Sequence, residues 1–374
     1  MSDDDGFSPH KNYGIYIHIP FCKAKCAYCS FVSISDASRQ QRYIEALLSE
    51  IAASESCGAA ADTVYIGGGT PSCLFRGAIT RILSDIRRAF RLSDGAEITV
   101  EANPESCDEA FAEECMNAGV NRISMGLQSA NDAVLAKIGR LHTACGFEKA
   151  AALLEKTGFR NISSDLILGL PDQDISDVSR AVDIMSRYCK HASVYALTVE
   201  RGTPLESSHY APDDDFVADL YDFAVARLAQ NGFMRYEVSN FAHFGCESRH
   251  NSKYWTGEPY IGFGVAAHSY DGRCLRRRHT DDITEYIETG SSTDEILSEK
   301  DRYNEYVMLR LRTEIGLDRK AFFDAFGYDF CEKHAEAINN YVKIGAIIVD
   351  GERVRIAPDK MFVMNGIIEN FMDD

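Results

Sequence analysis

From Tyr13 to about Gln230 the chain alternates short β-rich runs with stretches of helical period. That alternation restricts it to an α/β fold, a parallel sheet with helices packed outside it. The β-rich runs are 13–19, 63–66, 97–101, 122–126, 161–168 and 193–199. Helical periodicity covers 38–54, 78–90, 109–118, 146–157, 176–188 and 216–230. In the first of these, Tyr43, Ile44, Leu47, Leu48 and Ile51 share one face. Six β/α units fit an open doubly wound sheet or a barrel, and periodicity does not choose between them.

After Gly232 the pattern changes. Residues 234–239 read as a further strand, 243–278 as a loop rich in Gly, His and aromatics, and 281–298 as a polar connection. Helices are expected at 303–312, 319–326 and 331–344, then a hairpin at 346–356 turning at Asp350-Gly351, then a last helix at 361–371. Three helices and a hairpin resemble a winged helix. No basic face is apparent on 331–344, so a structural lid is the favoured reading over nucleic-acid binding.

A chain of 374 residues suits one large α/β unit and a smaller one. Its net charge of −18 disfavours nucleic acid and anionic membrane surfaces, and the one tight basic cluster is Arg276, Arg277 and Arg278. The acidic, polar start lacks the features of a signal peptide, and no apolar run is long enough to cross a bilayer. The expected location is cytoplasmic. Of the 12 cysteines, nine are scattered singly, as buried thiols usually are.

The other three, Cys22, Cys26 and Cys29, follow the first strand at C-x3-C-x2-C spacing. Thiolates at this density select zinc or iron–sulfur. A structural zinc site is closed by four ligands, usually as two separated pairs, and no second pair occurs. Three ligands on a four-iron cluster leave one iron open to a cofactor or substrate. Ligand residues of a parallel β/α fold gather at strand C-termini. There the chain places Gly67-Gly68-Gly69-Thr70-Pro71, Glu101, Gln128 and Asp165, with Arg140 in a loop before the next helix. Taken singly, each is as readily a turn, a cap or a surface ion pair.

The C-x3-C-x2-C motif after a strand resembles the radical S-adenosylmethionine (SAM) superfamily. The surrounding Tyr-Ile-His-Ile-Pro-Phe-Cys is similar to the branch holding oxygen-independent coproporphyrinogen III oxidase and a related heme chaperone. The resemblance implies a partial (β/α)6 TIM-like barrel followed by a small, mostly helical, winged-helix-like C-terminal domain. It implies a [4Fe–4S] cluster on Cys22, Cys26 and Cys29, with SAM chelating the open iron. Gly68, Gly69 and Thr70 would then meet the SAM amine and Arg140 its carboxylate. Glu101, Gln128 and Asp165 would meet the ribose or methionyl part, and Tyr16 and Tyr28 would flank the cofactor. His18 is expected near the cluster. The domain reading is a disordered 1–12, a radical SAM core at 13–240, a heme- or substrate-contacting region and connection at 241–298, and a C-terminal domain of the oxidase type at 299–374.

Two features favour the chaperone branch. The oxidase carries a further cysteine at C-x-C spacing after the third, where this chain has Phe31, and it has a longer arm before the motif. Arg249-His250-Asn251-Ser-Lys-Tyr254-Trp255 matches the H-N-x-x-Y-W motif associated with heme in the chaperones. An imidazole can ligate iron, and Tyr254 with Trp255 offers flat apolar surface. The expected heme ligand is His250, with His243 and His268 as rivals. The implied role is delivery of heme to acceptor hemoproteins, with peripheral contact where those lie in membranes. The alternative is oxidative decarboxylation of coproporphyrinogen III.

Overall fold

The computed structural model describes residues 12–54 and 59–373. The expected disordered terminus therefore lies outside the described residues, apart from Asn12. Strands β1 (Tyr13–Ile19), β2 (Ala60–Gly68), β3 (Arg91–Ala102), β4 (Arg122–Gln128), β5 (Asn161–Leu168) and β6 (His191–Ala196) lie side by side in chain order, every pair parallel. A doubly wound sheet reverses its strand order at a switch point. No reversal occurs among these six, so the architecture is the barrel type.

The barrel is incomplete. Past β6 the sheet continues antiparallel through β7 (Met234–Arg235) and β8 (Asn240–Ala242), with β8 against β6. Past β1 it runs through β9 (Tyr260–Phe263), β10 (His268–Tyr270), β11 (Leu275–His279) and β12 (Ser292–Ile296). Strand β9 is parallel to β1, and the rest are antiparallel. Period-two alternation sends Ile15, Ile17 and Ile19 outward onto Tyr43, Ile44 and Leu47 of the helix Gln40–Ala53, all buried in one core. The same alternation turns Tyr16 and His18 to the barrel interior.

The 243–298 segment departs from the expected loop and connection. It holds the helix Arg249–Trp255, strands β9 to β11, the helix Ile283–Thr289 and strand β12. These strands are three to five residues long and half-exposed, so they carry no clear apolar period. They form because β1 offers an edge to extend, a stabilisation that is not local in sequence. Similarly, the expected strand at 234–239 shortens to the two residues of β7. The helix expected at 331–344 is divided at His334, into Phe330–Lys333 and Ala335–Lys343. The last expected helix is a run of 3-10 and α turns from Pro358 to Phe371.

A second buried core joins Tyr303, Val307, Phe322, Phe330, Ile338 and Phe371. Beside it, β13 (Leu317–Asp318), β14 (Ile347–Val349) and β15 (Arg353–Ile356) form a small antiparallel sheet with β15 central. No helix among the described residues is long and apolar enough to cross a membrane.

Candidate active site

The loop after β1 carries the three thiols and is closed on itself. Cys22 N donates to Ile34 O at 2.9 Å, and Ile34 N donates to Pro20 O at 2.7 Å. Ala27 ties the loop to two other segments, donating to Ile138 O (2.9 Å) and accepting from Leu205 N (3.0 Å). Cys22, Cys26 and Cys29 are all free and partly exposed. Thr70 Oγ1 donates to Cys22 Sγ at 3.4 Å, and Arg140 Nη1 to Cys26 Sγ at 3.7 Å. Burial pushes the Cys22 and Cys29 thiols upward in pKa. Among the described residues no three His, Cys, Asp or Glu side chains converge on a single-ion site. Three thiols in one loop, with no second cysteine pair in the chain, suit a multi-iron cluster better than a structural zinc ion.

The loop roofs a cavity of about 540 Å³ at the C-terminal ends of the parallel strands. Its lining includes Cys22, Cys26, Cys29 and Tyr28, together with Gly68, Gly69, Thr70, Glu101, Gln128, Arg140 and Asp165. These are all the expected cluster and SAM residues except Tyr16. The glycine turn is required by close approach. A Cβ on Gly69 would stand 2.7 Å from Ile19 O and 2.8 Å from Phe21 O, and Gly68 has φ +109°. Glu101 accepts from Gly68 N at 3.0 Å and from the Tyr65 hydroxyl at 2.7 Å. Burial raises its carboxyl pKa to about 7 despite those two donors.

Reasoning from strand ends missed Asn103, although it stands in the same Val-Glu-Ala-Asn-Pro run as Glu101. Its Nδ2 donates to Thr70 Oγ1 at 3.0 Å, and its Oδ1 accepts from Arg140 Nη2 at 2.8 Å. Asn103 thus joins the glycine turn to the arginine. Tyr65 was missed as well, being an inward residue of β2 whose only signal was alternation. Gln128 sits at φ 65°, where the β4–β5 register slips between Gly126 and Gln128. This bulge re-aims the side chain into the cavity, and its Oε1 is buried without a hydrogen-bond partner. Asp165, also raised by burial, faces Ser193 and the buried Arg122 across the floor. Three polar atoms of lining residues, Gln128 Oε1, Arg140 Nε and Arg122 Nε, are buried without a hydrogen-bond partner, which together with the three thiols fits a polar ligand on an open iron.

Tyr16 and His250 lie deeper. Tyr16 stacks on Tyr65 at 6.2 Å between ring centres, its hydroxyl is 3.0 Å from His18 Nδ1, and it does not line the cavity. His250 is 1% exposed. Its Nδ1 is 2.9 Å from Thr63 Oγ1 and its Nε2 is 2.9 Å from the Tyr254 hydroxyl. Both ring nitrogens are engaged, so His250 presents no open nitrogen to an incoming iron, contrary to its expected role. Of the rivals, His243 is part-buried with Phe233 at 4.4 Å, and His268 is exposed on β10. The helix Arg249–Trp255 is held at both ends. Glu97 accepts from Arg249 N and His250 N, each at 3.0 Å, and Arg310 donates to the carbonyls of Trp255 and Thr256. Negative charge at the N-terminus and positive charge at the C-terminus both match the helix dipole.

The comparisons fit this geometry. Residues 16–185 match the Radical SAM superfamily, and residues 297–359 match the HemN C-terminal domain. A heme chaperone HemW of Lactococcus lactis is 33% identical over 370 residues, covering 96% of this chain and 97% of the relative. The chain belongs to the HemW family of radical SAM proteins. Another HemW, from Escherichia coli, is 36% identical and covers 71% of this chain and 73% of the relative. Among solved structures, coproporphyrinogen III oxidase (HemN) of E. coli superposes with a TM-score of 0.83 at 21% identity, over 97% of this chain and 91% of that one. That likeness establishes a shared fold for the HemW family member described here and the oxidase.

Proposed function

We propose that this protein is a radical SAM heme chaperone, which binds a [4Fe–4S] cluster, SAM and heme and passes heme to acceptor hemoproteins. The observation that carries the first part is the single cavity shared by the three thiols and the strand-end residues. Cys22, Cys26 and Cys29 would hold the cluster. Gly68, Gly69 and Thr70 would receive the SAM amine and Arg140 its carboxylate, held in place by Asn103. Glu101, Gln128 and Asp165 would bind the ribose or methionyl part, with Tyr28 alongside. When bound, the cluster and SAM supply one-electron chemistry. The chain's own share is to orient the cofactor and keep water from it.

The heme part is supported by the names of the HemW relatives and by the H-N-x-x-Y-W helix. Phe31, 64% exposed on the cavity rim, occupies the position at which the oxidase has its extra cysteine. That replacement favours chaperone over coproporphyrinogen oxidase.

Anaerobic reconstitution with iron and sulfide tests the cluster. We expect about four irons per chain, and near none in the Cys22→Ala/Cys26→Ala/Cys29→Ala variant; equal loading of the two would refute it. Hemin titration tests the cargo, with absence of any Soret change as the refuting result. Protoporphyrinogen formation from coproporphyrinogen III, with SAM and a reductant, would assign the oxidase activity instead.

A further inference from the structure

We propose that a second cleft, at the opposite end of β1 from the cysteines, is a binding site for a planar tetrapyrrole bearing carboxylates. The identity of the ligand rests on the heme reading above, whereas the site itself rests on the following geometry. The cleft encloses about 730 Å³ and reaches from Tyr13, the first residue of β1, to the helix Glu299–Leu311 of the C-terminal core. This is the size class of small-molecule sites, which favour domain junctions.

The H-N-x-x-Y-W helix is the partition between the two cavities. Asn251 lines the cysteine cavity and Tyr254 lines the cleft. On the cleft side Tyr254 meets Tyr260 edge to face at 4.8 Å, and Tyr260 meets Tyr270 at 6.2 Å. Tyr306 and Phe326, 5.4 Å apart, face them from the C-terminal core. Two aromatic walls with polar edges suit a flat, amphipathic ring.

Charge selects the kind of ring. The two acids of the lining are committed. Asp271 Oδ1 accepts from the backbone of Arg273, Cys274 and Leu275, and Glu305 pairs with Arg276 at 2.8 Å. Arg310 is committed to the helix carbonyls. Arg273 and Arg302 also line the cleft, and their guanidinium groups have no hydrogen-bond or ion-pair partner among the described residues. In a chain of net charge −18, two uncommitted guanidinium groups in one aromatic cleft are suited to a dianion. Guanidinium binds carboxylate through paired N–H donors, and an aromatic dicarboxylate satisfies walls and charges together.

The test titrates hemin, metal-free protoporphyrin IX and its neutral dimethyl ester into the cluster-loaded full chain. It compares wild type, an Arg273→Ala/Arg302→Ala double variant, and Ile344→Ser at an exposed position that lines neither cavity. Thermal melting checks that each variant is folded. The expected result is binding of hemin and protoporphyrin weakened at least about tenfold in the double variant, unchanged ester binding, and wild-type behaviour in Ile344→Ser. Hemin binding by wild type and double variant with equal affinity overturns the cleft and leaves the heme reading standing. Ester binding weakened as much as acid binding overturns it too, because the arginines would then not be reading carboxylates. Protoporphyrin bound without hemin, and lost in the double variant, keeps the cleft and removes heme as its ligand. No binding of any tetrapyrrole by wild type overturns both.

Discussion

His250 Nε2 lies 2.9 Å from the hydroxyl of Tyr254, one helical turn further on, so a buried imidazole fixes an aromatic that walls the second cleft. With Thr63 on its other nitrogen, His250 is a positioning residue in this structure. Replacement by Ala leaves the Thr63 and Tyr254 hydroxyls unpaired and opens a void. We expect a loss of about 2–4 kcal/mol, measured by urea unfolding at pH 7.5.

The same residue makes stability depend on pH. Burial, with Lys253 and Arg122 adding to it, lowers the His250 pKa to about 3. The unfolded chain protonates this group near pH 6.5 and the folded chain does not. Its contribution is therefore fully present above about pH 6.5 and is lost as pH falls toward 3. Between pH 6.5 and pH 5 it should cost about 2 kcal/mol. Urea midpoints of wild type and His250→Gln across that window should converge on acidification; parallel curves would contradict the assignment.

Asn103→Ala removes the link between Thr70 Oγ1 and Arg140 Nη2 while leaving the cysteine loop untouched. SAM affinity of the reconstituted protein, read by equilibrium dialysis, should fall about 10- to 100-fold. Iron content should stay at the wild-type level, which separates this effect from loss of the cluster.

Gly69→Ala would push a methyl to 2.7 Å from Ile19 O and 2.8 Å from Phe21 O, and backbone cannot retreat as a side chain can. The expected cost is about 1–3 kcal/mol, seen as a lowered melting temperature, with cluster uptake impaired because Phe21 immediately precedes Cys22.

Gln128→Gly separates backbone from side chain. Glycine adopts φ 65° without strain, so stability should hold within about 1 kcal/mol of wild type. SAM affinity should still drop, since the side chain in the cavity is gone. Unchanged SAM binding would remove Gln128 from the site.

Much of the cysteine cavity was legible because a parallel β/α array has only one end at which ligands gather. Thr70, Glu101, Gln128 and Asp165 stood out as a set at or near successive strand ends, with the family resemblance supplying their expected roles, and the structure brings them to one cavity. Asn103 did not stand out, because an amide one turn past a strand has no signature until Thr70 and Arg140 are seen on either side of it. The 243–298 segment was read as loop and connection because its strands lean on the edge of β1 and have no apolar period of their own.

Thiol chemistry and the glycine turn are properties of short stretches, and the amino-acid sequence alone determined them, whereas the order of the six parallel strands, which periodicity left open, was decided by tertiary structure. The setting of His250 was decided by tertiary structure. Its partners Thr63 and Glu97 stand 187 and 153 residues away in the chain. Burial and hydrogen-bond saturation are set by such distant neighbours. Which cavity a helix residue faces depends likewise on what packs against each side of the helix, so Asn251 and Tyr254, three residues apart in one motif, line different cavities.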